Sequence, residues 1–528
     1  MNKFVRLGIV GLVLVSIVGG VIGTAIYNNR ETEREQEQVD ETLQNVSGDL
    51  AIRVWEGGYG SQYVYNVADG FKKKFPKVNI TIKPTAERQV VYGEIVGFNK
   101  EYDIFFNESI LFKEIGLMEP LDDVYSYKWN GEEKTIGEKM DPMYYNAYYK
   151  DGHHYFINAY TGAWGLMYQN SLVDSENLPV TTDELIQVCE GLKGQVAPII
   201  FAGGQATDYW TYAYYNLLAQ YEGINAWNLY QLGMTPESNG EYDPASAYPI
   251  GMLRALEAVE ELLWYPNAYI HPQSTGYQYI VAQKKFLDGE AAFMWGGSWM
   301  LNEMQDLYPD GKGNDVEMMK MPVISSVVEK CTSITGENGG TADQELAALI
   351  RAIDAGSTAL SGDGYSVTQA DYDKIYEARN VVYVNGESAT AIIPKVAQNK
   401  ELAKLFLKYM YSDEGIKLYT NTKHCAVLPV QGYEYLVEEM ETELDLFQKS
   451  SYDIMFSCSK VFNNYNNPVL GLSCLASQGG GTLEIQFGSQ KSVDRTTALA
   501  TYNERKNLWS SNDSKQFYDL LRNKGLIE

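Results

Sequence analysis

The chain has 528 residues, 45% of them hydrophobic and 21% charged, and its 69 acidic against 42 basic side chains leave a formal net charge of −27 at pH 7. That composition is globular, with length for two or three domains, and it excludes a disordered chain. The negative field also argues against a nucleic-acid partner, because phosphate neutralisation needs clustered Lys and Arg.

Lys3 and Arg6 precede an uncharged stretch from Leu7 to Tyr27, long enough to cross a hydrocarbon core of about 30 Å at about 1.5 Å per residue. By the positive-inside rule the N-terminus stays cytoplasmic and the remainder lies outside. An uncleaved anchor and a signal peptide cut near Gly23-Thr24-Ala25 both fit. No Cys precedes Cys189, which closes the lipid-anchor route. Asn28 to Asp49 is polar and charged and reads as a stalk or as a solvated helical spacer.

Leu50, Ile52 and Val54 alternate with Ala51, Arg53 and Trp55, which predicts a strand, and the loop Gly57-Gly58-Tyr59-Gly60 follows. Ser61 is placed to cap a helix with Val64, Val67, Ala68, Phe71 and Phe75 on one face, ended by Pro76. Val78, Ile80 and Ile82 alternate again, a helical stretch runs from Val90 to Phe98, and Asp103 to Phe106 reads as a third strand. Such β-α-β-α-β units form parallel sheets with right-handed crossovers and bind ligands at the carboxyl ends of their strands. The loops Trp55 to Gly60, Pro84 to Arg88 and Asn107 to Ser109 thereby become candidates.

Farther on, Thr341 and Gln344 form a capping box for a helix through Leu346, Leu349, Ile350 and Ile353 with Gly356 as terminator, and a second helix begins near Thr368. Lys330 to Asn380 thus reads as a helical insertion. Asn399 precedes a helix with Leu402, Leu405, Phe406, Tyr409 and Met410 on one face. The five cysteines and four histidines have no metal-ligand spacing. Cys458 and Cys474 are open to a disulfide or to two buried thiols.

Leu50 to Trp55 leading to Phe71-Lys72-Lys73-Lys74-Phe75-Pro76, then Tyr102 to Phe105 and Gly116 to Leu121, resembles the start of family 1 extracellular solute-binding proteins of ABC importers. Three later blocks are similar to the same family in the same order: Gly165 to Asn170, Gly289 to Met294 with Gly297-Ser298-Trp299, and Asn399 to Ala403 continuing through Tyr411 to Glu414. The likeness spans roughly residues 50 to 430. The family's lipidated Cys is missing, the insertion separates segments that are ordinarily closer, and the tail beyond Val430 resembles the family less.

The resemblance implies a two-lobe, periplasmic-binding-protein-like α/β receptor with a hinge. Residues 50–160 with 381–430 would form one lobe, 161–329 with 431–528 the other, and 330–380 an addition. It implies a monomer without cofactor or metal that captures a sugar or oligosaccharide in the interlobe cleft and delivers it to ABC permease subunits, without being an enzyme. A pyranose offers an apolar face for stacking and a rim of hydroxyls for polar side chains. Tyr59 leaves the first strand at such a site, while Trp55 either contacts ligand or packs over the sheet edge. Asn107 and Glu108 after the third strand would bond hydroxyls or cap the next helix. After the apolar run Ile199 to Phe201 come Gln205, Asp208, Tyr209 and Trp210. Trp164 falls at the first crossover between lobes, and Trp299 occupies a position where the family often stacks a Trp on sugar. Trp295 reads as core.

Two other readings remain. An extracellular carbohydrate-active enzyme needs paired carboxylates about 5 to 9.5 Å apart, which 69 acids cannot exclude, although no G-x-S-x-G, H-E-x-x-H or P-loop pattern occurs. A receptor of the same fold for iron or polyamine would use the Tyr and acidic residues instead.

Overall fold

In the computed structural model, which describes residues 45–108, 112–204, 209–263, 269–338, 340–384, 389–462, 496–510 and 514–523, the first three strands form as their alternation predicts. Strands β1 (Ser47–Trp55), β2 (Lys77–Thr85) and β3 (Ile104–Glu108) are parallel, with β1 between the other two. Leu50, Ile52 and Val54 are buried. β1 begins at Ser47, earlier than the apolar alternation, because Ser47, Gly48 and Asp49 continue the ladder along Lys77, Val78 and Asn79. The polar stalk therefore ends sooner than composition suggests. The helix Gln62–Lys74 buries Val64, Val67, Ala68 and Phe71 and stops just ahead of Pro76, which cannot donate to a helical ladder. The helix Arg88–Val96 then leads into β3.

The chain lays β4 (Ile157–Asn158) at the far edge of this sheet and crosses to a second one. That sheet consists of β5 (Trp164–Gln169), β6 (Ala197–Ile200), β7 (Ala291–Gly297) and β8 (Val316–Met319), in the order β8-β5-β7-β6. Only β6 and β7 pair in parallel there; the other neighbours are antiparallel. Every residue of β7 is buried, Trp295 included. The chain returns through β9 (Ala389–Ile392), antiparallel to both β3 and β4, which completes the first sheet as β2-β1-β3-β9-β4. The result is two α/β lobes of different sheet topology.

Asp103, buried just before β3, fastens that return. Its carboxylate accepts the backbone N–H of Ala51 at 3.1 Å, of Gln398 at 3.0 Å and of Asn399 at 2.8 Å. The amphipathic helix Lys400–Met410 thus starts on a carboxylate of the sheet, and the Asn399 side chain makes no cap bond of its own to that helix.

Between Lys330 and Asn380 the structure places the helices Ala342–Asp354, opened by the Thr341–Gln344 capping box, and Gln369–Arg379, capped by Thr368. They are tied to the second lobe by Arg351 on Glu184 at 2.8 Å and by Arg379, whose guanidinium meets Asp354 at 2.7 Å and the Met321 carbonyl at 3.2 Å. In the tail, the helix Leu446–Ser457 docks on β8 through Ser450, whose hydroxyl accepts the Met318 N–H at 2.9 Å. Cys458 is a buried free thiol. Cys474, the apolar stretch Leu7–Tyr27, Ser109, Gln205 and Asp208 lie outside the described residues. Among the described residues no helix is long and apolar enough to cross a membrane.

Candidate ligand-binding cleft

The carboxyl ends of β1 and β2 face the second lobe across a cleft of about 470 Å³. Trp55, Glu56 and Gly57 to Tyr59 after β1, with Ala86 and Arg88 after β2, make the first wall. The opposing surface comes from Tyr160 and Trp164 at the crossover, Tyr209 and Tyr212 at a helix start, Tyr279 and Ile280 at another, and Trp299 with Glu303 after β7. Rings thus alternate with two carboxylates and one guanidinium.

Local bonds fix the first wall. The Glu56 N–H donates to the Thr85 carbonyl at 2.9 Å and prolongs the β1–β2 ladder into the loop. The Trp55 indole N–H donates to the Ala86 carbonyl at 3.1 Å, and the Arg88 guanidinium lies 6.0 Å over its ring. Ser61, predicted to cap the following helix, makes no side-chain cap bond. Its hydroxyl donates instead to Glu56 Oε1 at 3.2 Å. A carboxylate is the stronger acceptor, and the turn through Gly57 (φ +45°) and Gly60 (φ +68°) brings it back over the helix start. Glu56 is thereby held in the cleft wall through Oε1. Ser61→Ala should weaken ligand binding several-fold while shifting the unfolding midpoint little, since no helix cap is lost; parallel calorimetric titrations and melts would show it. A stability loss with unchanged affinity would make Ser61 purely structural.

At the junction of the lobes the Tyr59 hydroxyl lies 3.0 Å from Ser298 Oγ, which itself donates to the Cys425 carbonyl at 2.7 Å. Ser298 has a single proton, so Tyr59 is the donor to it. Across from Tyr59, Trp164 stacks on Tyr212 with ring centroids 3.3 Å apart and meets Trp299 edge-on at 4.1 Å. Gln283 donates to Glu303 Oε2 at 2.7 Å and reaches the Tyr209 hydroxyl at 3.4 Å. Burial, and then the charge of Glu303, push the Tyr279 hydroxyl pKa upward, so it stays a neutral donor.

Of the residues singled out in the sequence, the structure brings Tyr59, Trp164, Tyr209 and Trp299 into this one cleft. Trp210 is not among its lining residues and is only 3% exposed. The reason is the backbone at Tyr209, which at φ 52° and ψ −47° turns the chain sharply into the helix Trp210–Glu222. One ring is left in the cleft and its neighbour goes inward. Asn107 and Glu108 do not begin a loop: they remain in β3, opposite Thr390 and Ala389 of β9. Gln205 and Asp208 fall outside the described residues.

Tyr160, Tyr212, Tyr279, Ile280 and Glu303 escaped the sequence reading. Two carried a usable signal, because Tyr212 lies three residues after Tyr209 and Glu303 four after Trp299, the spacings that share a helix face. Tyr279 and Ile280 open the helix Tyr279–Leu287 away from any strand end, where no local pattern marks them. Among the described residues no group of three or more His, Cys, Asp or Glu is placed to hold a metal ion.

The family model described as bacterial extracellular solute-binding protein matches residues 55–417. Among solved structures, one from work on xylan utilization by the thermophilic bacterium Caldanaerobius polysaccharolyticus is 15% identical with a TM-score of 0.57, covering 88% of this chain and 99% of that one. The bacterial solute receptor AcbH, described as having an exclusive preference for β-D-galactopyranose, is 15% identical with a TM-score of 0.50, covering 88% and 100%. No curated protein matches the sequence.

Proposed function

Because the chain belongs to the bacterial extracellular solute-binding proteins, we propose that it captures a sugar or short oligosaccharide outside the cytoplasmic membrane and delivers it, as a monomer, to the permease of an ABC importer. The family places the protein outside the cytoplasm; Leu7–Tyr27 would carry it there, as an anchor or as a signal segment. In this reading each sheet is the centre of one lobe, residues 330–380 are an addition to the second, and closure about the crossovers traps the ligand.

The observation that supports a saccharide is the composition of the cleft. Rings from both lobes supply apolar faces, while Glu56, Glu303 and the Tyr hydroxyls supply acceptors and donors for a hydroxyl rim. The solved neighbours associated with xylan utilization and with galactose set the first compounds to try. Nothing in this arrangement requires bond cleavage, and a receptor needs none.

A thermal-shift screen over xylo- and galacto-oligosaccharides and other plant, host and bacterial glycans tests the proposal. A ligand at about 100 times its Kd stabilises the folded state by about 2.7 kcal/mol, which is a shift of several degrees. Recovered sugar should be chemically intact. Stabilisation by a polyamine or an iron chelate but by no glycan would replace the ligand class, and protein-dependent cleavage of the bound sugar would replace the receptor with an enzyme.

A further inference from the structure

Trp299 is where the two sides of the cleft touch. A methyl group at Gly58, on the first wall, would lie 2.3 Å from Trp299 Cδ1 and 2.5 Å from Cγ; one at Gly297, at the end of β7, would lie 1.8 Å from Cζ3. Neither position has room for a side chain, so the indole is seated between two stretches of bare backbone, one from each lobe. Trp164 meets it edge-on at 4.1 Å and Tyr59 at 5.7 Å. With 7% of its surface exposed, the ring has little face left for a sugar. By contrast Ala86 and Arg88 on the same cleft are exposed, which places its mouth on their side.

We propose that Gly58 and Trp299 together form a wall that shuts one end of the cleft, and that Trp299 determines specificity by limiting how far a saccharide can reach rather than by stacking on it. This rests on the cleft being the saccharide site. A chain end then sits against the wall and any further units leave past Arg88, so the receptor recognises short saccharides or the ends of longer ones. Residue 58 must be glycine for the two lobes to meet on the indole.

Two measurements separate the wall from the saccharide reading. In protein labelled with 5-fluorotryptophan, the Trp299 fluorine signal is assigned with Trp299→Phe. Gly58→Ala should displace that signal, without ligand, more than that of Trp227, which lies away from the cleft. An unmoved Trp299 signal overturns the wall. Calorimetric titrations with xylose to xylohexaose and galactose to galactotetraose then compare the native chain with Trp299→Ala, and with Trp299→Phe should the alanine variant fold poorly. Removing the wall should raise affinity for the longer sugars relative to the shorter by about tenfold, or about 1.4 kcal/mol. An unchanged length profile overturns the proposal, as does uniform loss of binding with native-like melting, the mark of a stacking platform. If the native chain binds none of these sugars, the same length series is run on the glycan that the thermal-shift screen identifies; if no glycan binds, the saccharide reading fails and the fluorine signal alone decides whether the wall exists.

Discussion

Trp210→Ala should lower the unfolding free energy by about 3–5 kcal/mol, the range for truncating a buried Trp, and leave ligand affinity where it was. The ring is 3% exposed at the first turn of the helix Trp210–Glu222, whose Ala213, Tyr214, Leu217, Leu218 and Tyr221 are also buried. That helix packs against β5 and the helix Ile250–Leu263, so a hole at its start cannot be filled by moving one side chain. Its neighbour Tyr209 differs in affinity: the ring is also buried, at 8% exposure, but it lines the cleft, so Tyr209→Ala should cost stability as well and in addition weaken binding by roughly 2 kcal/mol, as hot-spot aromatics do. Calorimetric titration separates the two variants, and equilibrium denaturation checks the stability loss expected of Trp210→Ala. Parental stability with lost affinity in Trp210→Ala would put its ring in the cleft and the sharp turn at Tyr209 elsewhere.

That pair shows what a sequence can reveal of such a site. Tyr209 and Trp210 follow the carboxyl end of β6, and that position marks the segment as a candidate, because a parallel β-α-β unit presents its ligand at strand ends whatever the side chains are. It could not tell Tyr209 from Trp210, because the distinction depends on one residue adopting φ 52°, a conformation that no residue type in the loop announces. Period-2 patterns were legible in β1 and β2 and 3.6 patterns in the helices at Gln62, Ala342 and Lys400, since each helix buries one face, whereas the helix at Gln369 was marked only by its start near Thr368. Where a polar residue had two possible partners, pattern alone failed. Ser61 took the charged Glu56 in place of a helix N–H, and Asn399 left its helix to Asp103, 296 residues away in sequence. The second wall of the cleft was the least readable part, since β5 to β8 are collected from distant segments and two of their three pairings are antiparallel. Tyr279 belongs to that wall but opens a helix that follows no strand directly in sequence.

The largest pH effect should come from His424. His424→Phe is expected to flatten the loss of stability between pH 6.5 and about pH 4.5. The imidazole is buried at 4% exposure, stacked on Tyr63 with ring centroids 5.4 Å apart and edge-on to Tyr419 at 4.9 Å and Tyr59 at 6.0 Å. Neither ring nitrogen has a hydrogen-bond partner among the described residues. Burial alone pushes its pKa down to about 3, and burial raises the Tyr63 and Tyr419 hydroxyls, so neither neighbour supplies a charge in this range. With the folded value below the unfolded value of about 6.5, the unfolded chain takes up a proton in this window and the folded chain does not. Stability is therefore intact above pH 6.5 and falls as pH drops towards 3, by about 1.4 kcal/mol per unit from this one ring. At pH 4.5 that is about 3 kcal/mol. Phe keeps the ring stacking and removes two unsatisfied nitrogens, so the variant should be no less stable than the native chain at pH 7.5. His154, whose pKa burial also lowers, contributes to the same limb in both proteins and cancels in the difference. Paired carboxylates such as Asp371 and Glu345, held low by hydrogen bonds despite their burial, lose their contribution only at lower pH. Urea midpoints collected every half unit from pH 7.5 to 4.5 would resolve the two slopes. Parallel slopes would mean that His424 is charged in the folded protein, with a partner for its proton inside the ring cluster.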